Sequence, residues 1–506
     1  MLSKTYSYGI IGLDAFLVTI ETDVCKGFPC NTIVGLPDNA IKESKERVRS
    51  AIKNSGYAFD PRKITINLSP ADIKKEGPSF DLPMALGILA GSEQINGQHL
   101  HKFAMVGELS LDGKVKPIKG SLPISMAAYK DKFEGLIVPF ENAEEASIFN
   151  KTRIFPVHTL NDVINLLNNV EFITPFQPEP KTETACPYLV DFCEVRGQRH
   201  VKRGLEVASA GAHNVLMIGP PGSGKSMLAQ RIPTILPDMT WEEAMETTQI
   251  HSVAGLMAKE KGLVSQRPFR SPHHTTSSAA IVGGGTIPKP GEITLGHNGV
   301  LFLDEFPEFN RTVLESLRQP MEDHVVTISR AATSLKFPAK FMLVCAMNPC
   351  PCGHLADKKK ACRCNPLQVE KYVSRISGPI LDRIDIHLDV PALDTLSLLK
   401  TTDEENSSEI KKRTGQAREI QKERFKDDQT FANAFMSSRQ IKKFCEINDD
   451  GKNLLKQAIE ELGLSARAYN KILKVSRTIS DLEGSEHIQT SHIAEAIQYR
   501  SLDRKW

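Results

Sequence analysis

The segment GPPGSGKS at 219–226 has the spacing G-x-x-x-x-G-K-S and lies between the apolar run NVLMI and a helical period. That is the setting of a phosphate-binding loop. Its glycines let successive backbone N–H groups converge on phosphate oxygens, Lys225 reaches the β and γ groups, and Ser226 offers a hydroxyl to Mg²⁺. Gly219, Pro220, Pro221, Gly222, Ser223, Gly224, Lys225 and Ser226 are therefore expected to hold ATP. A plain glycine turn ahead of a helix would not need all these fixed positions. Downstream, VLFL runs into Asp304 and Glu305. The first carboxylate suits Mg²⁺ held through water, and the second suits polarisation of the attacking water. FMLVCAMN ends in Asn348, at a sheet edge where ligands collect, so it is expected to sense the phosphate; a strand-end cap is the plainer alternative. Arg383, between Asp382 and Asp385, fits either an internal salt bridge or a finger that reaches a neighbour's γ-phosphate. The second role would put the active site between subunits.

NPCPCGHLADKKKACRCNP holds Cys350, Cys352, Cys362 and Cys364, two C-x-C pairs able to bring four thiolates round one tetrahedral Zn²⁺. The spacing within each pair is shorter than the usual two to four residues of such sites. The alternative is a polar loop with incidental thiols, and His354 is a substitute ligand. The expectation is a structural zinc bracing the loop after Asn348. Cys345, inside the apolar run, reads as a small buried hydrophobe. RPFRSPHHTTS gathers Arg267, Arg270, His273 and His274 among hydroxyls suited to phosphate contact. GGG at 283–285 followed by PKPG suits a mobile loop carrying Lys289. ISRAATSLKFPAK reads as strand-turn-strand with Arg330 and Lys336. Arg267, Arg270, Lys289, Arg330 and Lys336 are the candidate DNA contacts, against the ordinary reading of solvated charges and a flexible turn.

These groups need elements to position them. A chain of 506 residues implies about three domains. Its 63 basic and 61 acidic side chains leave a formal charge of +2, so any contact with DNA must be local. No apolar run reaches the roughly 18 residues that span a bilayer, and the N-terminal stretch is interrupted by Asp14, which points to no membrane and a cytoplasmic protein. Ten cysteines in this length do not make a disulfide framework. Residues 1–172 alternate strand-like and helix-like runs, 173–187 are proline-rich and read as a linker, 188–392 show the strand-helix pattern of a parallel sheet, and 393–506 have a helical period.

With these motifs in view the chain resembles the magnesium-chelatase-like AAA+ ATPases, most closely the ComM/YifB subfamily. The resemblance is carried by GPPGSGKS, RPFRSPHHTTSSAAIVGGG, PGEITLGHNGVLFLDEFPEF, AMNPCPCG, GPILDRIDIH and GLSARAYNKIL. It implies an α/β fold: a Lon-protease-like N-terminal domain, a P-loop AAA+ parallel-sheet core with a helix-2 insert and a pre-sensor hairpin, and an α-helical C-terminal lid. It also implies a homo-oligomeric ring, a hexamer, with Arg383 as the finger in trans, Arg467 as second sensor and Gln198 near the nucleobase. The implied activity is ATP-driven movement on single-stranded, duplex or junction DNA, as a branch-migration helicase in recombination or natural transformation. The alternative is a chelatase-like or protein-remodelling ATPase that does not act on DNA. KEGPSFDLPMALGIL matches the Lon stretch with the nucleophilic serine, which falls on Ser79. The Lon lysine position falls on Ile124, beside Leu122 and Pro123, and neither Lys116 nor Lys119 occupies it. Ser79 is thus expected to cap the helix that follows, without peptidase activity.

Overall fold

The apolar runs of the sequence become buried strands. A computed structural model of the chain describes all residues except 60, 170–173, 179–187, 258–261, 286–287, 330–333, 356–359, 393–403, 429, 463–464 and 501–506. It forms two units: Met1–Thr184 with Ala244–Val264, and Ala185–Glu243 with Ser265–Trp506.

The first unit is built on seven strands: β1 (Leu2–Ile11), β2 (Asp14–Cys25), β3 (Cys30–Val34), β4 (Lys63–Ser69), β5 (Phe103–Met105), β6 (Gly135–Pro139) and β7 (Ile154–Val157), in the order β3-β4-β2-β1-β5-β6-β7. β1 and β2 form a hairpin with Ile11 opposite Asp14, and Gly12 at φ +63° supplies the tight turn. Val18, Ile20, Thr22 and Val24 of β2 alternate inward, the period of a strand with one covered face. The helix Asp81–Gly91 is buried at every position. It lies close enough to β2 that a Cβ on Gly87 would stand 2.6 Å from Thr22 Oγ1, so glycine sets that approach.

Ser79 does not cap this helix. It lies in the 3₁₀ turn Pro78–Phe80, and the N-cap position is Phe80, which offers no side-chain acceptor. The neighbouring backbone does the work instead: Leu82 N–H donates to Gly107 O at 3.1 Å, and Gly107 N–H donates to Ser79 O at 2.9 Å. Ile124 is buried, and Lys119 lays its side chain over Gly255, where a Cβ would meet Lys119 Cε at 2.6 Å. Residues 244–264 are held inside this unit by Gln249 Nε2 donating to Leu13 O at 2.8 Å, by Gly120 N–H donating to Ser252 O at 3.1 Å, and by Ser252 Oγ–H donating to Glu145 at 2.5 Å.

The second unit holds five parallel strands: β8 (Val215–Ile218), β9 (Phe269–Arg270), β10 (Val300–Leu303), β11 (Met342–Met347) and β12 (Ile386–Asp389), in the order β9-β10-β11-β8-β12. β8, β10 and β11 are buried throughout, as expected of strands with both faces covered. One hydrophobic core joins Val215, Met217, Val300, Phe302 and Val344 of the sheet to Ile410, Ile472, Leu473, Ile479 and Ile493 of the C-terminal helices. The helical lid and the sheet are thus one packed body. Two small hairpins project from it, Gly283–Gly284 with Lys289–Pro290 and Val325–Ser329 with Ser334–Pro338. Among the described residues no helix is long and apolar enough to cross a membrane.

Candidate functional site

The carboxyl ends of β8, β10 and β11 place three polar groups side by side. Gly219, directly after β8, lies against the segment after β12, where a Cβ would stand 2.1 Å from Val390 O. Gly222 and Gly224 have φ +75° and +90°, and the space beside Gly222 is open, which leaves a cradle of backbone N–H groups at the start of the helix Lys225–Ile235. Lys225 Nζ donates to Gly219 O (2.8 Å), Pro220 O (2.9 Å) and Asn348 Oδ1 (3.3 Å). Burial holds its pKa below the ordinary lysine value. Ser226 Oγ–H donates to Asp304 Oδ2 at 2.6 Å. These contacts bring together the loop, Asp304 and Asn348 as the sequence reading requires. The donor set fits a triphosphate and Mg²⁺: a glycine cradle and an ammonium for the anion, a hydroxyl and a carboxylate for the cation.

Gln198 sits in a left-handed turn (φ +52°) at the start of the helix Arg199–Gly211, and its Nε2 donates to Ser223 O at 2.9 Å and to Pro391 O at 3.2 Å. It therefore ties the phosphate loop to the segment after β12. Glu305 also has positive φ (+51°), which turns its half-exposed carboxylate towards the β9 side of the sheet, 3.1 Å from His274 Nδ1. The His273 ring lies tilted against that of His274, with centroids 4.1 Å apart. His274, read from the sequence as suited to phosphate contact, lies beside the Glu305 carboxylate. The PHH after the β9 run was the signal, but its meaning depends on β9 lying next to β10, and strand order cannot be read along a sequence.

Arg383 occupies the opposite edge of the sheet. It precedes β12, whose Ile386 N–H donates to Asn214 O immediately ahead of β8, while the phosphate loop follows β8. The four residues of β8 separate these edges by about 13 Å at about 3.3 Å per residue. The Arg383 guanidinium pairs with Glu322 and donates to Pro379 O at 2.5 Å. Neither Asp382 nor Asp385 is its partner. Asp385 is taken by Lys471 Nζ (2.8 Å) and Asn214 N–H (3.0 Å), and Asp382 lies 3.9 Å from Arg467 Nη1. Arg467 is thereby placed next to Arg383 in the chain's fold, against the adjoining Asp382.

The four clustered cysteines do converge. The Sγ atoms of Cys350, Cys352, Cys362 and Cys364 lie within 4.8 Å of one another, with Cys350 to Cys352 at 3.4 Å and Cys352 to Cys362 at 3.6 Å. The backbone N–H groups of Arg363 and His354 pull the Cys352 thiol down to about 6, so a thiolate is available near neutral pH. Four thiols at these distances fit a tetrahedral soft cation, and the His354 imidazole is not among the ligand atoms. Gly353, between the two halves, approaches the phosphate loop: a Cβ there would stand 2.5 Å from Pro221 Cδ and 3.8 Å from Asn348 Cγ. Cys345 is buried in β11 and burial pushes its thiol well up.

The candidate DNA contacts divide. Arg267 is an internal residue: Nε donates to Pro237 O (2.6 Å), Nη1 to Asn298 O (2.7 Å), and Nη2 to Asp238 O (3.2 Å) and Glu243 Oε2 (2.8 Å). Arg270 is held in a two-pronged pair by Glu292 at 2.6 and 2.7 Å. The Arg267 fork is thus filled inside the chain by four oxygens, whereas Arg270 keeps one carboxylate partner at a partly exposed side chain. Lys289 and Lys336 are exposed on the two hairpins. Arg330 lies outside the described residues.

Comparison with known proteins agrees with this geometry. Residues 191–398 match the family Magnesium chelatase, subunit ChlI; 20–142 match Subunit ChlI of Mg-chelatase; and 404–500 match Magnesium chelatase, subunit ChlI C-terminal. Competence protein ComM of Haemophilus influenzae is 46% identical over 99% of this chain and 98% of its own. YifB of Escherichia coli is 42% identical over the same shares. Lon protease 2 of Bacillus subtilis is 32% identical over 28% of this chain and 26% of its own length. With the glycine loop, Asp304 and Asn348 on one sheet edge, and likeness along its whole length, the chain belongs to the magnesium-chelatase-like AAA+ ATPases, in the ComM/YifB subfamily.

Proposed function

We propose that the protein is an ATPase whose active site is completed by a second copy of the chain in a ring, and that it works on DNA. One observation carries the first part: the groups that bind and polarise lie at the carboxyl edge of the sheet, while Arg383 and Arg467 lie together at the amino edge. An arginine about 13 Å of strand away from its own phosphate loop serves a neighbour's nucleotide more readily than its own. Within one chain, Lys225 and Asn348 are 3.3 Å apart, so one phosphate oxygen can be met by both. Ser226 and Asp304 would hold the Mg²⁺, which when bound would neutralise charge on the phosphates. Glu305 takes the proton side of the reaction by orienting water, and Arg383 supplies positive charge to the transferred group, an effect of about 10³–10⁵-fold in related enzymes. Gln198 borders the base.

The likeness to a competence protein supports a role in natural transformation, and we assign the mechanical step to branch migration, with Lys289 and Lys336 as phosphate contacts repeated round a hexamer. A structural Zn²⁺ on Cys350, Cys352, Cys362 and Cys364 would brace the turn at Gly353 against Pro221. A chelatase-like or protein-remodelling motor is the competing reading, favoured by the family description alone. The test is ATP hydrolysis with Mg²⁺ alone and with single-stranded, duplex and four-way-junction DNA across a salt series. Stimulation that fades as salt rises is expected; an assembled, hydrolysing ring indifferent to every DNA form refutes action on DNA.

A further inference from the structure

Arg383 is placed unlike a structural arginine. Arg267 spends its guanidinium on four oxygens. Arg383, only 10% exposed, has Nη1 on Pro379 O and Nη2 on Glu322, while its Nε is buried with no partner. Glu322 stands at the end of the short helix Arg318–Asp323 and is half exposed. Arg383 holds its carboxyl below the usual range, and the nearby Arg467 and Arg318 add to the same field. Arg467 is itself largely exposed beside Asp382, and Arg318 is 2.9 Å from Glu315. Arg383 is thus the guanidinium in contact with a half-exposed carboxylate, with the charges of Arg467 and Arg318 in the same field.

The Arg383 guanidinium, with one buried N–H unmatched, can take an oxyanion, and its present partner is a side chain of the same molecule. The fork of an arginine that grips a carboxylate is the same fork that grips a phosphate, and it cannot hold both at once. We propose that Glu322 is an intramolecular competitor for Arg383: it keeps the guanidinium turned into its own chain, and the γ-phosphate carried by a second copy displaces it when the interface closes. Glu322 is then a positioning residue that sets how much nucleotide-driven assembly the protein needs before it hydrolyses. This inference rests on Arg383 acting in trans, as proposed above. The pair is solvent-accessible on the Glu322 side, so its displacement is a modest cost that a doubly charged terminal phosphate can outweigh.

The experiment uses the full chain, Mg²⁺ and the slowly hydrolysed analogue ATPγS, with assembly followed by sedimentation over a range of protein concentrations. Glu322→Gln removes the charge and keeps the shape. It should lower the concentration at half-assembly by at least about 1.5- to 5-fold, the worth of a fully exposed ion pair and so a lower bound for one whose arginine is largely buried, and raise ATP hydrolysis below saturation while leaving the saturated rate near wild type. A purely structural Glu322 would instead lower thermal stability and the saturated rate. In an Arg383→Ala background Glu322→Gln should shift nothing, because the group it restrains is gone. Glu419→Gln, an exposed glutamate paired with Lys422 on the lid, controls for net charge. A midpoint that stays put or rises overturns the proposal, and so does a shift that persists without Arg383. Arg383→Ala that assembles and hydrolyses like wild type sinks the trans reading itself, a result distinct from failure of Glu322 alone.

Discussion

Arg267 separates two accounts of the same residue, one from its basic neighbourhood in the sequence and one from its surroundings in the fold. Arg267→Ala deletes a guanidinium whose side chain is 9% exposed and whose ionic partner, Glu243, is 11% exposed. Removing one member of a buried pair costs about 3–5 kcal/mol, because the remaining charge keeps its desolvation penalty. Here the cost is reduced, since Glu243 Oε2 still accepts from Thr240 N–H at 3.1 Å. The three carbonyls of Pro237, Asp238 and Asn298 lose their donor as well, at up to about 1 kcal/mol each if water does not replace it. About 3 kcal/mol is a fair balance, and at about 2–4 °C per kcal/mol for a large domain it predicts a fall in Tm of about 6–12 °C. Thermal unfolding without DNA reads this directly. DNA titrations at several salt concentrations read the other account: a lost phosphate contact would lower the salt slope by about 0.9 and leave Tm alone. A variant that melts with wild type but shows the reduced slope refutes the internal role. Lys336→Ala is the converse case, expected to melt normally and to lose slope.

Lys225→Ala should abolish nucleotide binding, measured by fluorescent ATP titration, whereas Glu305→Gln should bind ATP, support assembly and hydrolyse it at least about a hundredfold more slowly. Purified protein should carry one zinc per chain by elemental analysis, and joint Cys362→Ser and Cys364→Ser should remove it and depress hydrolysis, because Gly353 rests on Pro221; metal-poor wild type with full activity would dismiss the site. Acid should weaken the second unit early. Burial lowers the His324 pKa to about 4, against about 6.5 unfolded, so the unfolded chain takes up the extra proton and stability falls as pH drops from about 6.5 to about 4. His324→Asn, which tolerates the left-handed backbone there (φ +55°), should flatten that slope in denaturant melts across pH.

The parts of this protein that were legible in its sequence are those whose meaning is local. GPPGSGKS needs only a strand before it and a helix after it, and both are encoded within a few residues. The buried strands β8, β10 and β11 announce themselves as continuous apolar runs, and Cys350, Cys352, Cys362 and Cys364 find one another because two short pairs flank a single loop. Ser79 was misplaced by the same kind of reasoning. A serine before a helix is a good cap only when the first-turn donors lack other acceptors, and here Gly107, 28 positions on, takes one of them.

The basic side chains show where local reasoning ends. An arginine's role is decided by which acceptor completes its fork, and that acceptor is supplied by topology: Glu243 for Arg267, Glu292 for Arg270, Glu322 for Arg383. The sequence holds nearly equal numbers of acidic and basic groups, so almost every arginine has many candidate carboxylates and no local signal chooses among them. Position on the sheet does choose. Residues after a strand in this parallel sheet reach the carboxyl edge and the nucleotide, and residues before one reach the amino edge. That rule puts Asp304 and Asn348 at the edge that carries the phosphate loop and Arg383 at the other. In the ring proposed above each amino edge would meet the next carboxyl edge, and hydrolysis would become conditional on the neighbour that brings the arginine.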